Sequence, residues 1–110
     1  MSDDKPLLVF FTSERSGPAR RMESLLAHLA RKERTRVRVM RVEVEEQPEL
    51  TQRFKVEDVP TLVLVNRKKV VDRLEGRASA PKIEAMLSKH LRAPAAAVNS
   101  RPKTDQALST

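Results

Sequence analysis

The chain contains no cysteine, no tryptophan and no tyrosine, and only three phenylalanines among its 110 residues. Without cysteine there is no disulfide, no thiolate metal site, no iron–sulfur cluster and no thiol reaction that the protein performs alone. Without Trp or Tyr the usual base-stacking platforms of nucleic-acid binders are missing, and Phe10, Phe11 and Phe54 all read as core residues. Long apolar runs are missing too. The longest, Leu7 to Phe11, falls far short of the roughly 20 residues that span a bilayer. The acidic start, Met1-Ser2-Asp3-Asp4-Lys5-Pro6, leads into no signal or transit peptide, so a cytoplasmic protein with no membrane partner is expected.

What the chain has in quantity is charge. It carries 22 Lys+Arg against 15 Asp+Glu, a formal +7. Residues 1–6 contribute −1 and residues 93–110 contribute +1, so the whole +7 falls on residues 7–92. That surface favours anionic partners without choosing among nucleic acid, an acidic protein face and an anionic metabolite. The length suits one domain, and with 39% hydrophobic residues its core must be built from Leu, Val and Met.

Leu7–Phe11, running into Thr12-Ser13, reads as a strand buried on both faces. A helix follows the Ser16-Gly17-Pro18 turn, with Met22, Leu25, Leu26 and Leu29 at i, i+3, i+4 and i+7. Pro18 fits its first turn, and Ser13 or Ser16 supplies the cap. Residues 36–45 form a second strand, Pro48 opens a short helix, and Val59-Pro60 breaks it. Thr61–Val65 and Val70–Leu74 make a hairpin around a charged turn, and Gly76 ends it. A last helix starts at Pro81 behind a Ser79 cap, with Ile83, Met86, Leu87 and Leu91 at helical spacing. The expectation is an α/β domain over residues 7–92 in the order β-α-β-α-β-β-α, a four-stranded mixed sheet flanked by helices. Residues 1–6 form an N-terminal extension. Residues 93–110, poor in large apolar side chains, read as a disordered tail.

Three segments make this chain resemble the thioredoxin family. Phe11 to Arg20 is similar to the strand-to-helix turn in which Trp-Cys-Gly-Pro-Cys-Lys carries the redox chemistry, with Gly17 and Pro18 matching. Val59-Pro60-Thr61 is similar to the family's Ile/Val-Pro-Thr, whose proline is cis and packs beside that turn. Glu75-Gly76-Arg77 is similar to the Val-Gly-Ala that borders the substrate groove. The resemblance implies a thioredoxin-like fold, and the departures from it bear on function. Ser16 and Ala19 stand in the two cysteine positions, Phe10 in that of the buried aspartate and Arg15 in that of the tryptophan. Serine has no accessible anion near neutral pH and alanine has no reactive atom, so dithiol exchange is excluded and a cysteine-less, non-enzymatic member is expected. Family members begin with a further strand and helix, where here six residues precede Leu7. The strand at residues 37–44 is therefore expected at an open sheet edge, with Arg36, Arg38 and Arg41 keeping it solvated. A monomer is expected over an edge-strand homodimer.

The turn keeps properties that need no sulfur. A helix start near Ser16–Ala19 offers free N–H groups to an anion, with Arg15, Arg20 and Arg21 beside it and Arg77 placed across the groove by the resemblance. In the family the residue before the cis-proline pairs with an extended peptide, a place that falls to Val59. The expected function is thus protein or peptide binding through Arg15, Ser16, Gly17, Arg20, Val59, Pro60 and Arg77, with an extended acidic segment as partner. An ordinary solvated basic face accounts for the same arginines. The alternative is association with nucleic acid or a ribonucleoprotein, for which no motif is present. Catalysis by Ser16 would need a base within reach, and neither His28 nor His90 is positioned as one. The carboxylates of Glu43, Glu45 and Glu46 read as a solvated strand end, so neither metal nor cofactor is expected.

Overall fold

The computed structural model describes residues 5–91, so the expected tail at 93–110 and most of the 1–6 extension lie outside the described residues. Strand β1 (Leu7–Thr12) leads into helix α1 (Gly17–Lys32), then β2 (Arg38–Glu43), α2 (Pro48–Arg53), β3 (Thr61–Asn66), β4 (Lys69–Glu75) and α3 (Ala80–His90). The four strands form one sheet in the order β2-β1-β3-β4. β1 and β2 run parallel, as the α1 crossover between them requires, while β1–β3 and β3–β4 are antiparallel. This is the mixed sheet and element order that the sequence leads one to expect, and β2 lies at an edge. No helix among the described residues is long and apolar enough to cross a membrane.

Strand β2 is shorter than the 36–45 segment suggests. The N–H groups of Arg36 and Val37 return to the Glu33 carbonyl at 2.9 Å each, and those of Glu46 and Gln47 return to the Glu43 carbonyl at 3.0 Å each. Turns at both ends thus consume residues that β-propensity alone would extend into the ladder.

Alternation along the strands builds two apolar layers. On one face Leu8, Phe10, Leu62 and Leu64 cluster with Met22, Leu26 and Leu29 of α1 and with Ile83, Met86 and Leu87 of α3. On the other, Val9, Phe11, Val42 and Val63 cluster with Leu50 and Phe54 at α2 and with Val56 and Val59 beyond it. Each fully buried Leu or Phe stabilises the fold by about 1.5–3 kcal/mol, and the first layer holds most of them. The second is thinner, since α2 has six residues and no fully buried side chain. Phe54 is accordingly half-buried rather than a core residue, its ring edge-on to Phe11 with centroids 5.7 Å apart.

Polar contacts fasten the outer elements. The Asp72 carboxylate of β4 meets His90 of α3 at 2.9 Å, and Lys32 of α1 meets Glu84 of α3 at 3.1 Å. Arg73 donates to the carbonyls of Phe54 and Lys55, at 3.1 and 3.3 Å, and so satisfies the end of α2. His90 is thereby occupied on the sheet side of α3, and His28 is exposed on α1.

Candidate functional site

The parallel and antiparallel pairings of β1 bring three loops to one end of the sheet. Thr12 ends β1 and leads into the turn before α1, Thr61 begins β3 opposite Phe11, and Glu75 ends β4 opposite Thr61. The Gly76 N–H then bonds the Pro60 carbonyl at 2.8 Å. The segments around residues 60 and 76 are thus neighbours through backbone pairing, and the turn before residue 17 leaves β1 at the same end of the sheet. The peptide bond between Val59 and Pro60 is cis, and the Thr61 hydroxyl donates to the Asp58 carbonyl at 2.7 Å across that loop. Gly76 has φ +86°, a left-handed conformation that glycine adopts without penalty, and a Cβ there would meet nothing within 4 Å.

The turn before α1 is held by two serines with separate tasks. Ser16 is the N-cap: its backbone is extended and its hydroxyl accepts the Ala19 N–H at 3.1 Å. Its own N–H is spent on the Ser13 carbonyl at 3.1 Å, so the expected open Ser16 amide is not available for a ligand. The Gly17 N–H has no hydrogen-bond partner among the described residues. Ser13 accepts the Arg15 N–H at 3.1 Å and donates to the Glu45 carboxylate. That bond holds the Glu45 carboxyl below its usual range, with the Arg15 charge acting in the same sense. Glu45 is therefore fastened to the turn and not a loose strand end. The signal was the parallel pairing of β1 with β2, which fixes Thr12 against Glu43 and brings Ser13 beside Glu45.

The start of α1 itself carries only cations, while Glu14 and the Ser13-bound Glu45 lie at the turn before it. The first turn of α1 has no acid. Glu23, one turn further on, is taken by Arg41 at 3.1 Å and by the Thr12 hydroxyl at 3.3 Å, so it does not offset the arginines at the helix start. Arg15 and Arg20 are exposed, and Arg21 folds its guanidinium over Gly17. Arg20, Arg21 and Arg77 form no ion pair among the described residues. Cations at a helix N-terminus cost about 0.3–1 kcal/mol each, and an arriving anion removes that cost.

Across the proline loop lies a cleft of about 440 Å³, lined by Lys55, Glu57, Asp58, Arg73 and Glu75 among others. Arg73 is committed to Glu75, at 3.2 Å, and to the α2 carbonyls. The α2 side of the site is thus partly acidic and the α1 side basic, a division that composition alone does not reveal. Between them Val59 is half-buried, and its N–H and C=O take part in no hydrogen bond among the described residues. Pro60 is buried beneath it. The structure therefore gathers Val59, Pro60 and the Gly76–Arg77 step directly. It places Arg15, Ser16 and Gly17 at the same sheet end, with Arg20 in the first turn of α1, and no bond joins the arginines to Arg77.

The profile of the family described as Thioredoxin matches residues 1–89. The chain belongs to the thioredoxin family. It is 34% identical over 92 residues to Thioredoxin-1 of Drosophila yakuba, covering 84% of this chain and 85% of that one. To the thioredoxin of Alicyclobacillus acidocaldarius it is 35% identical over 85 residues, or 77% and 81% of the two chains. The crystal structure of the germline-specific thioredoxin Deadhead of Drosophila melanogaster matches with a TM-score of 0.75 at 33% identity, covering 80% of this chain and 83% of that one. Within the thioredoxin pattern, the position of the first thiol is occupied here by a helix cap. That of the second holds a methyl group with no exposed surface, Ala19, and that of the buried aspartate holds Phe10, 1% exposed.

Proposed function

We propose that this thioredoxin-family chain binds without reacting. It carries out no dithiol exchange and holds an extended, acidic segment of a partner protein, in the cytoplasm, across the sheet end formed by the α1 turn, the Pro60 loop and Gly76. The observation that carries the reading is Val59, whose backbone donor and acceptor are left open beside a buried cis-proline and an adjoining cleft. A partner segment in extended form satisfies both groups by strand addition. Its acidic side chains meet the Gly17 amide and Arg15, Arg20 and Arg77, and the acids of the α2 side steer them away from the cleft. No cysteine is present to add chemistry to that grip.

The test is fluorescence anisotropy with a labelled peptide of about ten residues in which Val and Glu alternate, an extended acidic probe. The unaltered chain binds it, and reversing both charges, Arg15→Glu with Arg20→Glu, weakens binding by about tenfold or more. Undiminished binding by that double variant removes the groove from the account.

A further inference from the structure

Among the described residues, the sheet face that α2 covers is covered at one end only. Leu50, Phe54 and Val56 join the cluster of Phe11, Val42 and Val63. Toward the opposite end from Val59, Leu7, Val65 and Val70 stand in register across β1, β3 and β4. Leu7 and Val65 belong to this face, as does Met40 of β2, and cross-strand pairing puts Val70 beside Val65. Leu7, Met40 and Val65 are half-buried and Val70 is 50% exposed. Leu7, Val65 and Val70 thus form an open row across three strands, and Met40 lies next to it on β2, opposite Val9.

The ends of that row are basic. Arg38, exposed, continues it on β2 opposite Leu7. At the other end the two-residue turn between β3 and β4 is Arg67-Lys68, both exposed and both left-handed, with φ of 55° and 71°. Hairpin turns of that geometry call for Asn-Gly, which adopts it without strain. Keeping two cations there breaks a local rule, and what it secures is positive charge beside the row.

We propose that this row is a docking surface for an amphipathic helix of a partner protein, whose apolar stripe covers Leu7, Met40, Val65 and Val70 and whose acidic flank faces Arg67-Lys68. Four strands span about 14 Å at their usual spacing, the length of roughly two and a half helical turns, so residues at i, i+3, i+4 and i+7 reach across. The surface is separate from the Val59 groove, and the two proposals stand or fall independently.

Nuclear magnetic resonance titration of the full chain tests it. The probe is a helical peptide of about 14 residues with Leu at i, i+3, i+4 and i+7 and Glu on its flanks, compared with the same peptide carrying Lys for Glu. The acidic probe shifts the methyl signals of Leu7, Met40, Val65 and Val70 and leaves Val59 and Gly17 unmoved, and the basic probe binds at least about tenfold more weakly. Val70→Glu, a change at a half-exposed side chain, weakens binding by about tenfold or more, as does Arg67→Glu with Lys68→Glu in case the first variant is poorly folded. The proposal is overturned by absence of saturable binding, by equal binding of the two probes, or by shifts confined to the Val59 end. Contacts from residues 92–110 to Leu7 or Val65 in the unliganded chain overturn it as well.

Discussion

Replacing Ser16 by alanine separates a structural serine from a reactive one. The Ser16 hydroxyl accepts the Ala19 N–H at 3.1 Å, and no acid in the first turn shares the work of satisfying the open amides of α1. α1 in turn presents Met22, Leu26 and Leu29 to the larger apolar layer, so loss of the cap is felt by the whole domain. Removing a Ser cap costs about 1 kcal/mol, within a range of roughly 0.5–2. In a domain of this size each kcal/mol moves Tm by about 4–8 °C. Ser16→Ala should therefore lower Tm by several degrees in a calorimetric or circular-dichroism melt. Ser16→Asp keeps the acceptor and adds an anion at the positive helix end, among Arg15, Arg20 and Arg21, and should match or exceed the parent. Peptide affinity at the groove should stay within about twofold for Ser16→Ala, because the Ser16 N–H is already spent on Ser13. An unchanged Tm in Ser16→Ala, or an Asp variant less stable than the Ala variant, would refute the assignment of Ser16 as a cap.

Other perturbations follow from the same contacts. Phe10→Ala empties a site 1% exposed in the larger layer and should cost about 3–5 kcal/mol in urea unfolding; a loss under 1 would mean the layer collapses around it. Lys68→Gly relieves a left-handed backbone and should raise stability by roughly 0.5–1 kcal/mol while weakening the acidic helical probe, an opposition that a purely structural turn would not produce. Asp72→Asn removes a partly exposed pair with His90, worth about 0.5 kcal/mol near neutral pH. The His90 bond holds the Asp72 carboxyl below its usual range. The contribution is therefore present above the ordinary carboxylate pKa and lost as pH falls through the lowered one. The parent and Asp72→Asn curves should converge once pH falls below that lowered value, and a gap that persists at the acid end would contradict the linkage.

How much of this was legible in the sequence depends on the range of the interaction. The α1 stripe of Met22, Leu26 and Leu29, the caps at Ser16 and Ser79, and the Gly76 stop are local signals, and the structure realises each of them. The ends of β2 were overextended because the competing bonds to the Glu33 and Glu43 carbonyls belong to turns that no hydrophobic period announces. Ser13 and Glu45 lie 32 residues apart and meet only through strand register, so the site's acidic anchor was invisible until the sheet was assembled. The same holds for the row at Leu7, Val65 and Val70. Alternation marks these residues as apolar, but which of them a neighbouring element covers depends on the reach of a six-residue helix. The charged turn at Arg67-Lys68 is legible in the sequence, but its left-handed backbone is not, since the Asn-Gly that normally signals it is absent.

The measurement that bears most directly on the whole account is turbidimetric reduction of insulin by the purified chain and by its Ser16→Cys, Ala19→Cys double variant, side by side with the same dithiol donor. The account predicts no acceleration by the chain itself and measurable acceleration once both thiols stand at the start of α1. Acceleration by the unaltered chain would contradict it.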